Sequence, residues 1–416
     1  MGYVNAFSTF VPDMTSSSVQ TTGSAAPGSE LSFDNTEIAF RHSSNRDLKR
    51  AYWLFKLINV NFLVKVGPPI TNFAINIGLP IKGIIKATIF RQFCGGETIA
   101  ECTPTIKNLQ SGGVGTILDY SVEGEDEEEV FDNTRDEIIR TIVRADGDAA
   151  IPITVFKITG VGRFSLLEKL DAEETLTADE EQEWKKVQAR VLAICQKAYD
   201  AGVPIMIDAE ESWIQETIDG LALDMMRRFN RENIIIYNTY QLYRHDKLES
   251  LKADHAIATK ESFILGAKIV RGAYMEKERK RAEERGYISP IQPNKQATDR
   301  DYDEAVKYSV QNINNLAIVA GTHNEHSCRL LADLLNKYNV DHNHPHIYFS
   351  QLLGMSDNLS FNLANARYNV AKYVPYGPIK AVLPYLFRRA QENTAIAGQM
   401  SRELGLIVKE TKRRGI

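Results

Sequence analysis

The stretches Asn233-Ile-Ile-Ile-Tyr237 and Gly266-Ala-Lys-Ile-Val270 decide the fold class. Both are short and almost continuously apolar, which is typical of parallel strands buried on both faces. Similar β-rich runs lie on either side of them, and helical patterns at 181–201, 212–230, 299–314 and 325–338 separate the runs. These further runs are residues 115–119, 151–157, 203–208, 316–320, 346–349 and 368–373. Eight β/α units within about 280 residues predict a (β/α)8 barrel.

A doubly wound open sheet is the alternative fold. It is less favoured because no GxGxxG motif follows any predicted strand. In addition, Gly78-Leu-Pro-Ile-Lys-Gly83 lacks the Lys-Ser/Thr pair of a phosphate-binding loop.

The chain before the barrel divides into two parts. Residues 1–30 are rich in Ser, Thr, Gly, Ala and Pro and contain no Lys or Arg, so we expect a disordered leader or an added tag. Residues 31–112 carry helical patterns, including an amphipathic one at 45–66, and are predicted to pack on the barrel of residues 113–416. Residues 81–90 could instead lie on a membrane surface, although packing on the barrel is favoured.

Composition excludes several classes of protein. The net charge of −5 argues against nucleic acid as the main partner. The four cysteines form no CxxC pair, which indicates reduced thiols in a reducing compartment. No apolar run reaches the roughly 18 residues of a membrane span.

Polar residues stand at or just past the ends of seven predicted strands. They are Asp119, Lys157, Asp208, Asn238, Arg271, His323 and Tyr373. The carboxyl ends of the strands form the rim on which (β/α)8 barrels build their sites. Asp208 alone could be a helix N-cap, but polar residues on so many strands favour a site.

A second candidate for binding is Pro384-Tyr-Leu-Phe-Arg-Arg-Ala-Gln-Glu-Asn393. On a helix, one side would carry Tyr385, Arg388, Arg389 and Glu392, with Pro384 in the first turn. Paired guanidinium groups beside an aromatic ring can grip a small carboxylate and cover an apolar ring. The alternative is a basic surface turn whose arginines pair with Glu392.

Five motifs, taken in chain order, together resemble the proline dehydrogenase family. They are Lys157, Ile207-Asp-Ala-Glu-Glu211, Val270-Arg-Gly-Ala-Tyr274, Gly321-Thr-His-Asn324 and Tyr385-Leu-Phe-Arg-Arg-Ala-Gln-Glu-Asn393. The resemblance extends from about Phe33 to the C-terminus. Lys268-Ile-Val-Arg271 and the long segment 160–184 are similar to the single-activity branch, without the aldehyde dehydrogenase domain of the bifunctional relatives.

The resemblance implies FAD on the barrel top and oxidation of L-proline to 1-pyrroline-5-carboxylate by hydride transfer to flavin N5. It also implies a membrane quinone as electron acceptor, and hence peripheral membrane contact. The implied substrate-binding residues are Lys157, Tyr274, Leu352, Tyr373, Tyr385, Arg388 and Arg389. The implied FAD-binding residues are Asn238, Arg271, Gly272, Ala273, Thr322, His323, Asn324 and Glu392.

Two residues take the implied catalytic positions. Asp208 is similar to the family's buried carboxylate, which holds neighbouring cations and Tyr373 rather than taking protons. Lys268 stands where many bacterial relatives carry an arginine near N5, so the partner of N5 stays open. Glu123 corresponds to a carboxylate that closes over the substrate by pairing an arginine, although a solvated helix start is an equal alternative.

Other functions remain as alternatives. Hydroxyproline-oxidising relatives carry a small residue in place of Tyr373. A metal-dependent barrel hydrolase would use His323, His326 and rim carboxylates, but no closed ligand set is visible, so no metal is expected. The His-rich tract 341–346 precedes its strand, at the wrong end of the barrel. The expected location is cytoplasmic and peripheral on the inner membrane in a bacterium, or the matrix side of the mitochondrial inner membrane in a eukaryote.

Overall fold

The structure is a computed structural model that describes residues 31–58, 82–121, 127–395 and 399–416. Within these ranges, the side chains of residues 57, 58, 82, 84, 387, 389–395 and 399–401 are outside the description. The predicted leader, residues 1–30, and the gate residue Glu123 therefore lie outside the described residues. Residues Ser32–Ile416 form one compact unit.

Eight parallel strands close into a barrel in the order β1 to β8. Their bounds are Gly115–Tyr120, Thr154–Phe156, Ile205–Ile207, Ile236–Gln241, Leu265–Val270, Leu316–Gly321, Ile347–Leu352 and Val370–Tyr376. The pairing of β1 with β8 runs in register from Gly115 opposite Ala371 to Tyr120 opposite Tyr376. This last ladder confirms the (β/α)8 barrel and rules out the open doubly wound sheet.

Helices follow each strand and cover the barrel. Their bounds are Glu128–Ala145, Phe164–Asp171, Ala178–Ala201, Gln215–Phe229, Lys247–Glu261, Met275–Arg285, Lys295–Gln311, Glu325–Lys337, Asp357–Asn365, Ile379–Ala395 and Gln399–Arg414. We call Ile379–Ala395 the arginine helix and Gln399–Arg414 the C-terminal helix. Helical segments before the barrel are Thr36–Phe40, Asn45–Ile58, Lys82–Ile85, the π-helical turn Lys86–Phe90, Arg91–Phe93 and Thr103–Ser111.

The barrel interior is filled by apolar side chains from alternate strand positions, as the two-residue period of a strand requires. The buried cluster is Ile117, Ile153, Val155, Met206, Tyr237, Ala317, Val319, Ala371 and Tyr373. The interior is therefore closed by packing, and a ligand site has to lie above it, at the strand ends.

Three strands end well past the ends of their apolar runs, and one of them is β7, which continues past Phe349 to Leu352. β4 continues through Asn238 to Gln241, and β8 continues past Tyr373 to Tyr376. The prediction that Asn238 and Tyr373 stand at strand ends is therefore wrong. The physical reason is that both polar residues are buried and hydrogen-bonded, Asn238 to Asp219 and Tyr373 to Asp208, so polarity did not mark the end of the strand.

The structure also bears on two predictions about helices. Ile85 and Phe90 are buried in the core, and Lys86 Nζ is 2.7 Å from Glu97 Oε1, so the described part of 81–90 packs on the fold. The arginine helix begins at Ile379, which puts Pro384 inside the helix and not in its first turn as expected. Since proline lacks an N–H, one backbone hydrogen bond of that helix is absent.

Candidate active site

Three predicted residues meet at the mouth of the barrel. Asp208 follows β3, Lys268 lies in β5, and Tyr373 lies in β8. The Lys268 ammonium donates closely to Asp208 and also to the Tyr373 hydroxyl, at 2.6 Å. The Tyr373 hydroxyl in turn donates to Asp208 Oδ1 at 3.2 Å. Residues far apart in the chain thus form one hydrogen-bonded cluster on three different strands.

The cluster combines a protonated phenol with ammonium groups that can donate hydrogen bonds. Burial, together with the Asp208 charge, raises the pKa of Tyr373 well above its ordinary value, so the phenol keeps its proton and acts as a donor. On the other side of Asp208, Lys157 Nζ lies 4.0 Å from Oδ2. Two ammonium groups, those of Lys268 and Lys157, therefore lie beside the one carboxylate of Asp208.

Apolar and aromatic walls stand beside this charge. Leu352 is the last residue of β7 and packs against both the barrel interior and the adjoining core. Tyr385, on the arginine helix, is buried and close enough to Tyr373 to contribute to its raised pKa. Arg388 is half-buried one turn further along this helix. The side chains of Arg389 and Glu392 lie outside the described part of that helix.

The ends of β5 and β6 bring together three predicted cofactor residues. Arg271 donates to Thr322 Oγ1 at 2.9 Å and to Asp299 at 2.7 Å. The Asn324 backbone N–H donates to the same Thr322 hydroxyl at 3.1 Å, while its side chain caps the helix Glu325–Lys337. A guanidinium, a hydroxyl and a helix N-terminus lie together there, and all three can bind phosphate oxygens.

The turn after β5 has a backbone that a ligand can approach closely. Gly272 has φ +135°, a conformation that L side chains rarely adopt, and an added Cβ would meet the Tyr243 ring at 2.5 Å. Gly272 and the next residue, Ala273, are exposed, and Tyr274 beside them is half-buried. Only glycine fits here without strain, because a side chain would require the unfavourable φ and would clash with the Tyr243 ring.

The side chain of Asn238 does not lie at the mouth of the barrel. Its side chain donates to Asp219 Oδ1 at 2.8 Å, on the helix Gln215–Phe229 outside the barrel. Asp219 also pairs with Lys247 at 2.7 Å, so Asn238 belongs to a contact between β4 and the surrounding helices. The predicted rim position of Asn238 is corrected accordingly.

The sequence interpretation missed Gln241 and Glu210. Gln241 ends β4, donates to the Glu210 carbonyl at 2.7 Å, and accepts from the Ala273 N–H at 3.4 Å, so it joins three mouth loops. Glu210 accepts from the Thr159 N–H at 3.1 Å, and burial raises its pKa to about 7. Gln241 could have been found from the sequence, because Tyr237, Thr239 and Gln241 alternate along one face of β4.

Metal ligands have no comparable arrangement in the parts of the chain that the structure describes, where no three His, Cys, Asp or Glu side chains are grouped to hold an ion. The His-rich tract lies before β7, and His346 contacts the Ile313 carbonyl at 2.7 Å. It therefore stands at the end of the barrel opposite the rim.

The fold and the rim residues define a (β/α)8 barrel with an active site at the carboxyl ends of its strands. A sequence model described as "Proline dehydrogenase" matches residues 102–402. The chain belongs to the proline dehydrogenase family.

Two relatives and one solved structure give the extent of the similarity. The chain is 33% identical to "Proline dehydrogenase 1, mitochondrial" of Dictyostelium discoideum, over 92% of this chain and 75% of that protein. It is also 33% identical to "Carbapenem antibiotics biosynthesis protein CarD" of Pectobacterium carotovorum subsp. carotovorum, over 80% of this chain and 86% of that protein. The crystal structure of proline utilization A (PutA) from Bdellovibrio bacteriovorus inactivated by N-propargylglycine superposes with a TM-score of 0.69 at 18% identity. That superposition covers 90% of this chain and 40% of the PutA chain, and it supports the fold alone.

Proposed function

We propose that this protein is an FAD-dependent enzyme that oxidises L-proline to 1-pyrroline-5-carboxylate and passes the electrons to a membrane quinone. The observation that carries the proposal is the joined cluster of Lys268, Asp208 and Tyr373, with Lys157 beside it, at the mouth of a barrel of this family. Residues 113–416 would form the catalytic barrel, 31–112 a helical region packed on it, and 1–30 a leader.

The carboxylate of proline would lie against the positive charge of the rim. Lys157 lies beside Asp208 and would contact the proline carboxylate. Arg388, which is half-buried on the arginine helix, and Arg389 would approach it from that helix. A charge-assisted hydrogen bond to a carboxylate is about twice as strong as a neutral one, so these groups orient the substrate. Leu352 and Tyr385 would exclude water from the pyrrolidine ring.

The same cations act on the amine of the substrate. A neutral amine is required before the carbon–hydrogen bond next to nitrogen is broken, and nearby positive charge favours the neutral form. Asp208 is engaged by the Lys268 ammonium and the Tyr373 hydroxyl. We therefore assign Asp208 to positioning these groups and not to proton abstraction.

The residues at the ends of β5 and β6 fit FAD. When bound, FAD supplies a hydride acceptor at its N5 atom. Arg271, Thr322, His323 and Asn324 would hold its phosphates, and Glu392 would contribute from the arginine helix. The backbone at Gly272 and Ala273 is exposed and would admit close approach, and an added Cβ at Gly272 would disturb it by clashing with the Tyr243 ring. Lys268, which is bonded to Asp208 and Tyr373, would lie nearest the reacting ring.

The location proposed for the protein follows from the acceptor. A membrane quinone requires contact with the membrane, and the Dictyostelium relative is named as mitochondrial. We place the protein peripherally on the inner membrane, on the matrix side in a eukaryote or the cytoplasmic side in a bacterium. No helix in the described ranges is long and apolar enough to cross a membrane.

Ultraviolet–visible spectroscopy of the purified protein tests the proposal. We expect flavin absorption bands that are bleached by L-proline without oxygen and restored by a short-chain quinone. D-proline serves as the matched control. It carries the same carboxylate and amine, but its opposite chirality would misplace the reacting hydrogen. Protein that contains metal without flavin, or flavin that L-proline does not reduce, would contradict the proposal. Flavin that is reduced but not reoxidised by quinone would contradict the acceptor alone.

A further inference from the structure

His323, at the mouth of the barrel, is connected to the C-terminal helix through a single residue. His323 Nδ1 and Ser356 Oγ are hydrogen-bonded at 2.9 Å. The backbone N–H of Ser356 donates to Glu403 Oε1 at 2.5 Å. Ser356 and Glu403 are both buried, so water does not compete for these bonds. A carboxylate on the last described helix thereby reaches the rim of β6.

Ser356 adopts a backbone conformation that needs support. Its φ is +51° and its ψ is 42°, in the left-handed region that residues other than glycine seldom occupy. The hydrogen bond to Glu403 fixes the N–H of this residue in that conformation. The hydroxyl is then directed at His323, because the orientation of the side chain follows that of the backbone.

A buried charged side chain also contacts the loop 352–356, which contains Ser356. Lys372, in β8, is fully buried and donates to the carbonyls of Met355 at 2.5 Å and Leu352 at 3.3 Å. Its ammonium also lies 2.7 Å from Asp357 Oδ1. Burial, and then the nearby Asp357 carboxylate, raises the pKa of Glu403 to about 7. Such a cluster needs a fixed geometry, since each charge depends on its partner.

The residue before Glu403 makes a second contact with the same region. Arg402 pairs closely with Glu325, the first residue of the helix that Asn324 caps. Arg402 is half-exposed, so its pair with Glu325 contributes little free energy. The pair still fixes the orientation of the C-terminal helix against this region. Two adjacent residues of the C-terminal helix thus contact the loops after β6 and β7 separately.

The structure assigns to Glu403 the role of a positioning residue that holds His323 in place for the cofactor, acting through Ser356. This inference rests on the proposed function, because His323 is taken there as an FAD-binding residue. It adds a residue that does not contact His323 directly, on the helix that follows the arginine helix. Removing the carboxylate is expected to free the 352–356 loop and to weaken FAD binding, without removing any group that contacts FAD.

Four variants of the full-length holoenzyme separate the alternatives. Glu403→Ala removes the acceptor, and Glu403→Gln keeps an acceptor oxygen at the same place. Ser356→Gly removes the hydroxymethyl side chain, whose hydroxyl contacts His323, and glycine tolerates the positive φ. Glu410→Gln is the matched control, since Glu410 is a buried carboxylate of the same helix that pairs with Arg413 and Arg414, away from the mouth.

Hydrogen exchange of the 352–358 segment and the dissociation constant of FAD are the two measurements. In Glu403→Ala, we expect exchange of the Ser356 amide to be about tenfold faster and FAD to bind about tenfold more weakly, since one hydrogen bond to a charged group is lost. Glu403→Gln should restore both, and Ser356→Gly should weaken FAD binding with Glu403 intact. Glu410→Gln should change neither.

Two results would overturn the inference. Unchanged FAD affinity in Ser356→Gly would mean that the hydroxyl does not position His323, and this variant decides the matter even if Glu403→Ala fails to fold. Equal weakening in Glu410→Gln would mean that the C-terminal helix acts only through general stability. Absence of flavin in the wild type would refute the proposed function, whereas the exchange measurement would still report whether Glu403 fixes the loop.

Discussion

At the scale of single residues, Tyr373 is the side chain that should decide which substrate ring fits. It is buried, and its hydroxyl contacts both Lys268 and Asp208. Its bulk would exclude a hydroxyl group on the substrate ring, while its phenol holds two charged neighbours in place. We therefore expect Tyr373 to affect both the choice of substrate and the arrangement of Lys268 and Asp208.

We expect the wild type to prefer L-proline strongly over trans-4-hydroxy-L-proline. Tyr373→Ser should reduce this preference mainly by lowering kcat/KM for proline, because it removes the packing and both hydrogen bonds. Tyr373→Phe is the matched control that keeps the ring and loses only the hydroxyl. Specificity constants for both substrates check this expectation. If the wild type favours hydroxyproline, the proposed substrate is wrong; if Tyr373→Ser leaves the ratio unchanged, only the role of Tyr373 is wrong.

Arg388 carries the second prediction at this scale. Arg388→Met should raise KM for proline while FAD stays bound, and Arg389→Met should behave alike. Loss of a charge-assisted hydrogen bond costs about 1.5–3 kcal/mol, which is roughly a tenfold to over a hundredfold change in affinity. Arg285→Met, at an exposed arginine on the helix Met275–Arg285, is the control. Steady-state kinetics, with flavin content measured in parallel, would show the rise in KM. An unchanged KM in both Arg388→Met and Arg389→Met would refute the binding of the substrate carboxylate by these arginines.

At the scale of elements, the turn after β5 shows how backbone shape supports the site. Gly272 packs against the Tyr243 ring in a conformation that alanine cannot adopt without strain. Gly220, inside the helix Gln215–Phe229, has open space around it and an ordinary helical backbone. The two glycines therefore respond oppositely to the same substitution.

Gly272→Ala should destabilise the fold by about 1–3 kcal/mol and weaken FAD binding, because the backbone is strained and the Tyr243 ring must move. Gly220→Ala should stabilise it by about 0.5–1 kcal/mol through higher helix propensity, with FAD affinity unchanged. Thermal unfolding and flavin titration of both variants measure these effects. A Gly272→Ala protein that binds FAD as well as the wild type would show that this turn does not approach the cofactor.

How much the sequence predicted also differs from element to element. The apolar runs located all eight strands, since burial on both faces leaves a clear pattern. The ends of β4, β7 and β8 were misplaced, because the polar residues Asn238, Gln351 and Tyr373 are buried and hydrogen-bonded to neighbouring parts of the chain. Gln241 joins Glu210 to Ala273, and Glu403 reaches Ser356 across 47 positions; no local pattern encodes such contacts. Family resemblance located Lys268, which composition alone would have read as an interruption of β5.

At the scale of the whole molecule, the C-terminal helix ties distant parts of the chain together. Arg414 donates to the carbonyls of Phe40 at 2.6 Å and Ser43 at 2.7 Å, near the start of the described chain. Glu403, on the same helix, contacts the loop after β7. The barrel mouth and the helical region before the barrel therefore share one support.

Two buried carboxyl groups should make global stability depend on pH. Burial raises the pKa of Glu210 and of Glu403 to about 7 each, whereas an unfolded glutamate titrates near pH 4.3. Between about pH 4.3 and 7 the folded state therefore binds more protons than the unfolded state, so stability falls as pH rises. Although burial opposes it, hydrogen bonds from Arg413 and Arg414 lower the pKa of Glu410 to about 2, and its effect lies below this window.

Glu210→Gln tests this dependence, because glutamine resembles the protonated acid at every pH. Relative to the wild type, the variant should gain about 2–3 kcal/mol between about pH 5 and pH 8, as the wild type has to ionise a buried group and the variant does not. The stability of Glu210→Gln should still fall with rising pH, but less steeply than that of the wild type, since the raised pKa of Glu403 lies in the same window. Urea unfolding at both pH values measures the difference. A gap between variant and wild type that is equal at the two pH values would mean that Glu210 ionises freely despite its contacts with Thr159.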